Sequence, residues 1–148
     1  MGAILSIEYV EILKRRAQQF VKYGDVALQN EDYDLACFMY HQASELYLKA
    51  ILLRLTGHVP RLHSIRQLLA LLIKILEEVF HQRLNDIIDL LRYFTSRYRS
   101  ELKLLDEVYV QARYAPRRYS REECESLRDL SRHILEVVKL IEERLSSI

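Results

Sequence analysis

The sequence is poor in residues that punctuate short strands, with only three glycines and two prolines among 148 residues. An all-β fold or a doubly wound sheet needs many more turn residues, so both are disfavoured. Half of the residues are hydrophobic, which is enough apolar surface for one core at this length. We therefore expect one all-α domain over residues 1–148, an up-and-down bundle of about five helices.

Cysteines and long apolar runs are also scarce. Cys37 and Cys124 show no C-x-x-C spacing, so neither a disulfide framework nor a zinc knuckle is indicated. The longest apolar run, Leu68 to Ile73, falls far short of the roughly 20 residues that cross a bilayer. Glu8 interrupts the stretch where a secretion signal would be apolar. We expect a cytoplasmic protein with no membrane partner.

Conventional catalytic motifs are missing as well. The sequence contains no Gly-rich phosphate loop, no Ser-His-Asp order and no paired-carboxylate motif. We therefore expect no cofactor. His41 and Glu45 stand one helical turn apart, a spacing that could suit a metal ion, but two ligands do not make a site. We expect no bound metal, with both side chains facing inward or across a dimer seam, and His63 orienting the loop before Ser64.

Hydrophobic periodicity places the first two helices. Apolar residues at three- and four-residue steps predict a helix from Ser6 to Leu28, in which Gly24 marks close packing by another helix. A polar break follows, and a second helix runs to Thr56, with Gly57 as its stop. This second helix is apolar on several sides, which is typical of a central helix or of one at a subunit interface.

Capping residues place the later helices. Ser64 and Gln67 predict a capping box for a third helix that ends near Phe80. A fourth helical region is expected from Leu84 to about Val110, with a break near 96–100, and the chain should leave it at Ala115-Pro116. Ser120 and Glu123 predict a second capping box at the start of the last helix.

Positive charge is concentrated in one segment. Residues 92–121 hold eight basic residues against three acidic ones, a local charge of +5 in a chain whose net charge is +1. Five of the ten tyrosines lie among these arginines. Because arginine binds phosphate and tyrosine stacks on bases, a nucleotide or single-stranded RNA is the ligand class this pattern favours. The alternative is a solvated basic surface that pairs with acidic neighbours, with the tyrosines packed at helix ends.

Several motifs together indicate a family. The segment from His41 to Ala50 fits the pattern H-Q-A-x-E-x-x-L-K-A, and Gly57, Pro60 and a T-H-x-L-like segment at 63–65 follow it. Tyr109 to Pro116 reads Y-V-Q-A-R-Y-A-P, similar to Y-x-x-x-R-Y-P with one extra residue before the proline. In these motifs the chain resembles the HEPN domains. The resemblance implies a helical bundle, a homodimer and frequent pairing with a small nucleotidyltransferase encoded beside it.

Members of that family differ in activity. Some are RNA-cutting toxins of toxin–antitoxin modules, whereas others bind nucleotides or act as scaffolds. The ribonucleases use an arginine and a histidine separated by four to six residues, and Arg128 with His133 fits this spacing. His133 would then move a proton at the ribose or leaving oxygen, and Arg128 would stabilise charge on the phosphate. On a regular helix the two side chains point about 140° apart, so convergence requires a bend or a dimer cleft.

The sequence therefore predicts a dimeric HEPN-like module of a toxin–antitoxin system that binds a nucleotide, RNA or a nucleotidyltransferase partner. One alternative is a metal-independent endoribonuclease toxin that uses Arg128 and His133. Another is a purely structural interaction module. The binding residues are expected near the end of the basic segment, with Arg113 and Tyr114 foremost; the full set is Tyr109, Arg113, Tyr114, Arg117, Arg118 and Arg121.

Overall fold

The computed structural model describes the backbone of residues 3–147 and the side chains of residues 7–147. Over this range the chain is all-α and contains no strand, as predicted. A single 3-10 turn at His81–Leu84, which the sequence pattern did not indicate, joins the third helix to the fourth. The six helices are α1 (Ala3–Gln29), α2 (Tyr33–Thr56), α3 (Ile65–Phe80), α4 (Asn85–Arg97), α5 (Arg99–Tyr114) and α6 (Arg121–Ser146).

The described range contains six helices, close to the expected number of about five, because the fourth helical region is divided. The break expected near 96–100 is confirmed, since α4 ends at Arg97 and α5 begins at Arg99, with Tyr98 between them. The helix α5 continues to Tyr114, past the approximate bound at Val110 and up to the predicted stop at Ala115-Pro116. Ala115 has extended backbone angles, as the residue before a proline usually does, and the helix stops there.

Three of the predicted helix signals can be compared directly with the structure. Gly57 is left-handed, with φ of 80°, and donates its N–H to the Leu53 carbonyl at 2.8 Å. At α6 both halves of the capping box form between Ser120 and Glu123. At α3 only half of the predicted box forms, because Ser64 Oγ accepts from the Gln67 N–H but the reciprocal bond is not present in the described range.

A carboxylate from α5 completes the start of α3 instead. Asp106 accepts the Ser64 hydroxyl at 2.9 Å, the Ile65 N–H at 2.6 Å and Arg66 Nε at 2.6 Å. Short local motifs could not reveal this cap, because its two partners lie about forty residues apart in sequence. The contact joins the loop at 57–64 to α5.

The apolar second helix is central rather than peripheral. It packs against α1, α3, α5 and α6 and contributes fourteen buried residues. Residues from every helix join it in one hydrophobic core that runs from Ala17 to Ile141. Its multi-sided apolar surface is thus covered by the chain itself, and it gives no support to a subunit interface.

The close approach expected at Gly24 is confirmed. A Cβ built on Gly24 would lie 2.9 Å from Cε1 of Tyr40, whose ring is fully buried on α2. The Tyr40 hydroxyl donates to Asp25 Oδ1 at 2.5 Å, which fixes the ring against α1. Among residues 3–147, no helix has both the length and the apolar character required to cross a membrane.

Candidate functional site

The basic side chain of Arg113 is held among aromatic rings at the C-terminal end of α5. Its guanidinium carbon lies 4.5 Å from the ring centre of Tyr109, 5.0 Å from that of Tyr114 and 5.2 Å from that of Phe38. Its Nε donates to the Tyr109 carbonyl at 2.8 Å. Since Nε is occupied, the two terminal nitrogens form the edge available to an anion.

Two histidines stack with the same tyrosine, an arrangement that the sequence did not reveal. The rings of His63 and Tyr109 are nearly parallel, with centroids 4.7 Å apart and an interplanar angle of 11°. The His41 ring lies 5.0 Å from Tyr109 on a tilted plane. The Tyr109 ring is therefore in contact with both histidines and with Arg113, and its role in binding a ligand stays a prediction.

A polar network beneath Tyr109 explains the H-x-x-x-E spacing. His41 is fully buried, and its Nε2 donates to the His63 carbonyl at 3.0 Å. Glu45, also buried, accepts from His63 Nδ1 at 2.8 Å, and its second oxygen lies 3.7 Å from Lys49 Nζ. The inward-facing arrangement expected for His41 and Glu45 is the observed one, and His63 does fix the loop before Ser64.

Burial determines the charge state of His41. Desolvation lowers the pKa of its ring, although Gln42, Glu45 and the His63 carbonyl act in the opposite direction. The ring is therefore neutral near pH 7, with its hydrogen on Nε2, where the carbonyl can accept it. His41 Nδ1 lies 3.1 Å from Oε1 of Gln42, and a half-turn of that side-chain amide places its NH₂ there as the donor that the bare nitrogen needs.

Three residues near the end of the basic, tyrosine-rich segment are engaged in the fold. Tyr119 is only 3% exposed, and its N–H donates to Asp34 at 2.9 Å. Arg117 lies over the Tyr119 ring and pairs with Glu123 at 2.7 Å. Arg121 pairs with Glu31 at 3.4 Å. Arg117 and Arg121 were both predicted to bind a ligand. Their observed contacts are instead those of the alternative interpretation, in which basic surface residues pair with acidic neighbours.

The remaining positive charge lies on exposed side chains. Arg113 and Arg118 have no carboxylate within ion-pair distance among residues 7–147, and Tyr114 is 76% exposed. Elsewhere in the basic segment, Arg92 pairs with Glu77, whereas Arg97 lies over Tyr98 without an ion pair in the described range. Of the six predicted binding residues, Arg113, Tyr114, Arg118 and Arg121 are exposed, and among these Arg121 is engaged in an ion pair.

Arg128 and His133 are not brought together within the chain. The helix α6 is unbroken from Arg121 to Ser146, so the two side chains keep the wide angular separation of a regular helix. Arg128 bonds to Asp129 at 3.1 Å. His133 stacks on Tyr98, with centroids 5.4 Å apart, in a groove beside α4. Their joint catalytic role stays a prediction that requires a second chain.

The described residues contain no group of three His, Cys, Asp or Glu side chains placed to hold a metal ion. Both cysteines are free and buried. A hydrogen bond with Cys124 raises the pKa of the Cys37 thiol, and burial raises it further. These thiols face each other in the core between α2 and α6.

The central helix α2 carries the sequence H-Q-A-S-E. The helix α5 packs against it and ends in the sequence R-Y. A bundle with these two features defines a class of small helical domains. The HEPN domain model matches residues 10–141, and the chain belongs to this family. Among solved structures, the chain is similar to the protein TT1696 from Thermus thermophilus, with 27% identity and a TM-score of 0.61. The match covers 91% of this chain and 97% of that one. No curated protein sequence matches the chain significantly.

Proposed function

We propose that this protein is a dimeric HEPN module that binds a nucleotide or single-stranded RNA through the exposed end of α5 and the following loop. A nucleotidyltransferase partner that presents phosphate or carboxylate groups would use the same surface. Residues 1–148 form one domain in this proposal, and the protein acts in the cytoplasm as part of a toxin–antitoxin system. The residues that contact the ligand are Arg113, Tyr114 and Arg118.

The observation that carries the proposal is the setting of Arg113. Its guanidinium lies within 5.2 Å of three aromatic ring centres and has no carboxylate partner in the described range. An arginine that only aids solubility does not need to be packed against aromatic rings. Its side chain normally stays mobile, because fixing it costs conformational entropy. In Arg113 much of this conformational entropy is already lost before binding, so an anion binds to a guanidinium group that is already oriented.

The neighbouring groups fit a ligand with both bases and phosphates. Tyr114 offers an exposed ring to a base, and stacking on an aromatic side chain contributes roughly 1–3 kcal/mol per base. Arg118, two residues after Pro116, adds a second unpaired charge. A single-stranded nucleic acid presents this alternation of bases and phosphates along its length.

The direct test is fluorescence anisotropy with a labelled single-stranded RNA, with ATP as a competitor. We expect Arg113→Ala and Tyr114→Ala each to weaken binding about tenfold or more, in line with the loss of one stacked base or one phosphate contact. Arg16→Ala is the matched control, since Arg16 is an exposed arginine on α1. An equal loss in Arg16→Ala and Arg113→Ala would contradict a localised site.

The dimer part of the proposal rests on a different surface from α2. Leu90 and Tyr93 of α4 are exposed large hydrophobic side chains, and with Val137 and Leu140 of α6 they line a groove of about 320 Å³. His133 lies in this groove. A second copy packed here would cover apolar surface and surround His133, which is the setting that a cleft shared by two chains requires.

A further inference from the structure

An open cavity of about 650 Å³ lies between the turn that joins α1 to α2 and the loop that leads into α6. Residues 31–35 line one side of it, and Arg118 and Tyr119 line the other. Clefts of roughly 300–1,000 Å³ are the size that holds small organic ligands. This cavity adjoins the proposed binding surface, because Arg118 belongs to both.

Polar contacts tie the two sides of the cavity together. Asp34 Oδ1 accepts the Tyr119 N–H at 2.9 Å, and Glu31 pairs with Arg121 at 3.4 Å. Tyr119 is itself buried, so the loop is fixed against the start of α2. The cavity is therefore formed by contacts within the chain, and two of its carboxylates are already used.

One charge of each sign is left over in the cavity. The carboxylate of Asp32 caps no helix N–H, and neither Asp32 nor Arg118 has an ion-pair partner in the described range. Both side chains are exposed. Because a carboxylate only accepts hydrogen bonds, these two groups complement a ligand that carries both an anion and N–H donors.

The remaining lining of the cavity suits a flat ring. Tyr33 is half-buried, and the guanidinium carbon of Arg121 lies 5.4 Å from its ring centre. Leu35 is 49% exposed. Aromatic and aliphatic side chains are the surfaces against which an unpaired nucleobase packs.

Among the four RNA bases, guanine is the best match for a free carboxylate. Its N1–H and its N2 amino group are adjacent donors on the Watson–Crick edge, so the two oxygens of one carboxylate can accept from both. Adenine and cytosine have a bare ring nitrogen beside their amino group, and uracil has a carbonyl oxygen on each side of its N3–H. Each of these three bases would therefore place a lone pair against the carboxylate, which is repulsive.

We infer that this cavity binds a guanine base, with Asp32 accepting from its N1–H and N2 amino group and Arg118 contacting the adjoining phosphate. The inference rests on the proposed function and deepens it. The nucleotide or RNA that binds at the end of α5 then has guanine at the position next to Arg118.

The test measures two kinds of ligand with the full chain. Calorimetry measures the monophosphates of guanosine, inosine and adenosine, of which inosine keeps N1–H but lacks the amino group. Anisotropy measures labelled oligouridylates that carry one central guanosine, inosine or adenosine. In both series we expect guanosine to be bound about tenfold or more tightly than adenosine, in line with one bidentate contact, and inosine to lie between them.

The informative variant is Asp32→Asn, because asparagine is as favourable as aspartate before the first residue of a helix and should leave the fold intact. Its amide has one oxygen for the two guanine donors, so we expect the preference for guanosine over adenosine to fall to about twofold or less. Its NH₂ can instead donate to the 2-carbonyl of xanthine, so Asp32→Asn should bind xanthosine monophosphate more tightly than the unchanged chain does. Asp89→Asn, at an exposed position on α4, is the matched control and should keep the guanosine preference.

Arg118→Ala separates phosphate binding from base recognition. It should weaken the binding of all three monophosphates about threefold to tenfold and leave their ratios unchanged, since the carboxylate that recognises the base is still present. Loss of the guanosine preference in Arg118→Ala but not in Asp32→Asn would overturn the assignment of the base to Asp32.

The outcomes distinguish this inference from the proposed function. If oligouridylates bind and lose affinity in Arg113→Ala, but a central guanosine adds nothing, the inference alone is overturned. If guanosine monophosphate binds through Asp32 while no RNA binds, the inference holds and the RNA part of the proposed function is overturned. If neither nucleotides nor RNA bind, both are overturned.

Discussion

Arg113 lies over the ring of Tyr109, one helical turn earlier, and also donates its Nε hydrogen to the Tyr109 carbonyl at 2.8 Å. Two interactions with one residue thus fix both the position and the rotation of the guanidinium. The ring of Tyr109 also packs against the rings of His63 and His41, which hold it in place. The accessible charge at the end of α5 is therefore connected through one ring to the buried network of α2.

This geometry predicts that Arg113→Lys, which keeps the charge, weakens RNA binding by about threefold to tenfold. Lysine has no planar fork and no Nε donor, so neither the bidentate contact with phosphate nor the bond to the Tyr109 carbonyl can form. Anisotropy titrations at one fixed salt concentration measure the effect. Arg118→Lys, at a position without aromatic support, is the comparison and should bind almost normally. Equal affinities for the two variants would show that only charge matters.

The sequence allowed most of the helices to be predicted, because their signals are local. Gly57, Ser120 with Glu123, and the Ala115-Pro116 end each act within a few residues. The surroundings of each side chain in the basic segment could not be predicted in the same way. Composition identified a basic, tyrosine-rich segment, but it could not show that Tyr119 is in the core.

The features that could not be predicted from the sequence are contacts between segments that lie far apart in the chain. The bonds of Asp106 to Ser64 and of His63 to Glu45 join elements that are separated by a loop or by several helices. In the sequence, Asp106 is one of three acidic residues in a basic segment, and this position alone does not indicate a capping role. The spacing of His41 and Glu45 was visible, but nothing local indicated that the third member of the cluster would be His63.

Gly24→Ala should destabilise the protein by up to about 2 kcal/mol. Alanine normally favours a helix interior by roughly 1 kcal/mol over glycine. Here its Cβ would lie 2.9 Å from the buried Tyr40 ring, which the bond to Asp25 keeps from moving away, and overpacking costs about 1–3 kcal/mol. Urea unfolding measures the difference. In a Tyr40→Leu background the same change should be neutral or stabilising, and an equal loss in both backgrounds would contradict the steric explanation.

Asp106→Asn should loosen the junction between α3 and α5. The carboxylate accepts from Ser64, Ile65 and Arg66, and an amide can offer only one oxygen to these donors. We expect a loss of about 1–3 kcal/mol in the free energy of unfolding, since one or more donors are left unpaired. Hydrogen exchange at the Ile65 amide should also accelerate. Asp89→Asn, at an exposed position on α4, is the control and should change neither quantity.

Stability should fall as the pH drops below about 6.5, and His41 should contribute to the fall. Burial lowers the pKa of His41 in the folded chain, so below its ordinary value of 6.5 the unfolded chain binds a proton that the folded chain does not. The contribution of His41 to the free energy of unfolding is therefore present above pH 6.5. Below that pH it is lost, by up to about 1.4 kcal/mol per pH unit. Unfolding in urea at several pH values measures this slope.

The matched variant for this prediction is His41→Gln. The glutamine amide nitrogen can replace Nε2 as donor to the His63 carbonyl and does not titrate. The difference in unfolding free energy between the unchanged chain and His41→Gln should therefore shrink as the pH falls from about 6.5 to about 5. A difference that stays constant over this range would mean that His41 keeps its ordinary pKa.

From the exposed groove between α4 and α6 we expect a dimer, and the groove also identifies a substitution that should make the protein monomeric. Leu90 is 38% exposed and Tyr93 65% exposed, beside Val137 and Leu140. If a second copy covers this surface, Leu90→Glu would bury a charge in the interface, which is costly without a partner. We expect sedimentation to show a dimer for the unchanged chain at micromolar concentration and a monomer for Leu90→Glu. Val26→Glu, at an exposed apolar position on α1, should remain dimeric. A monomeric unchanged chain would remove the dimer from the proposal, and with it the only setting in which Arg128 and His133 could act together.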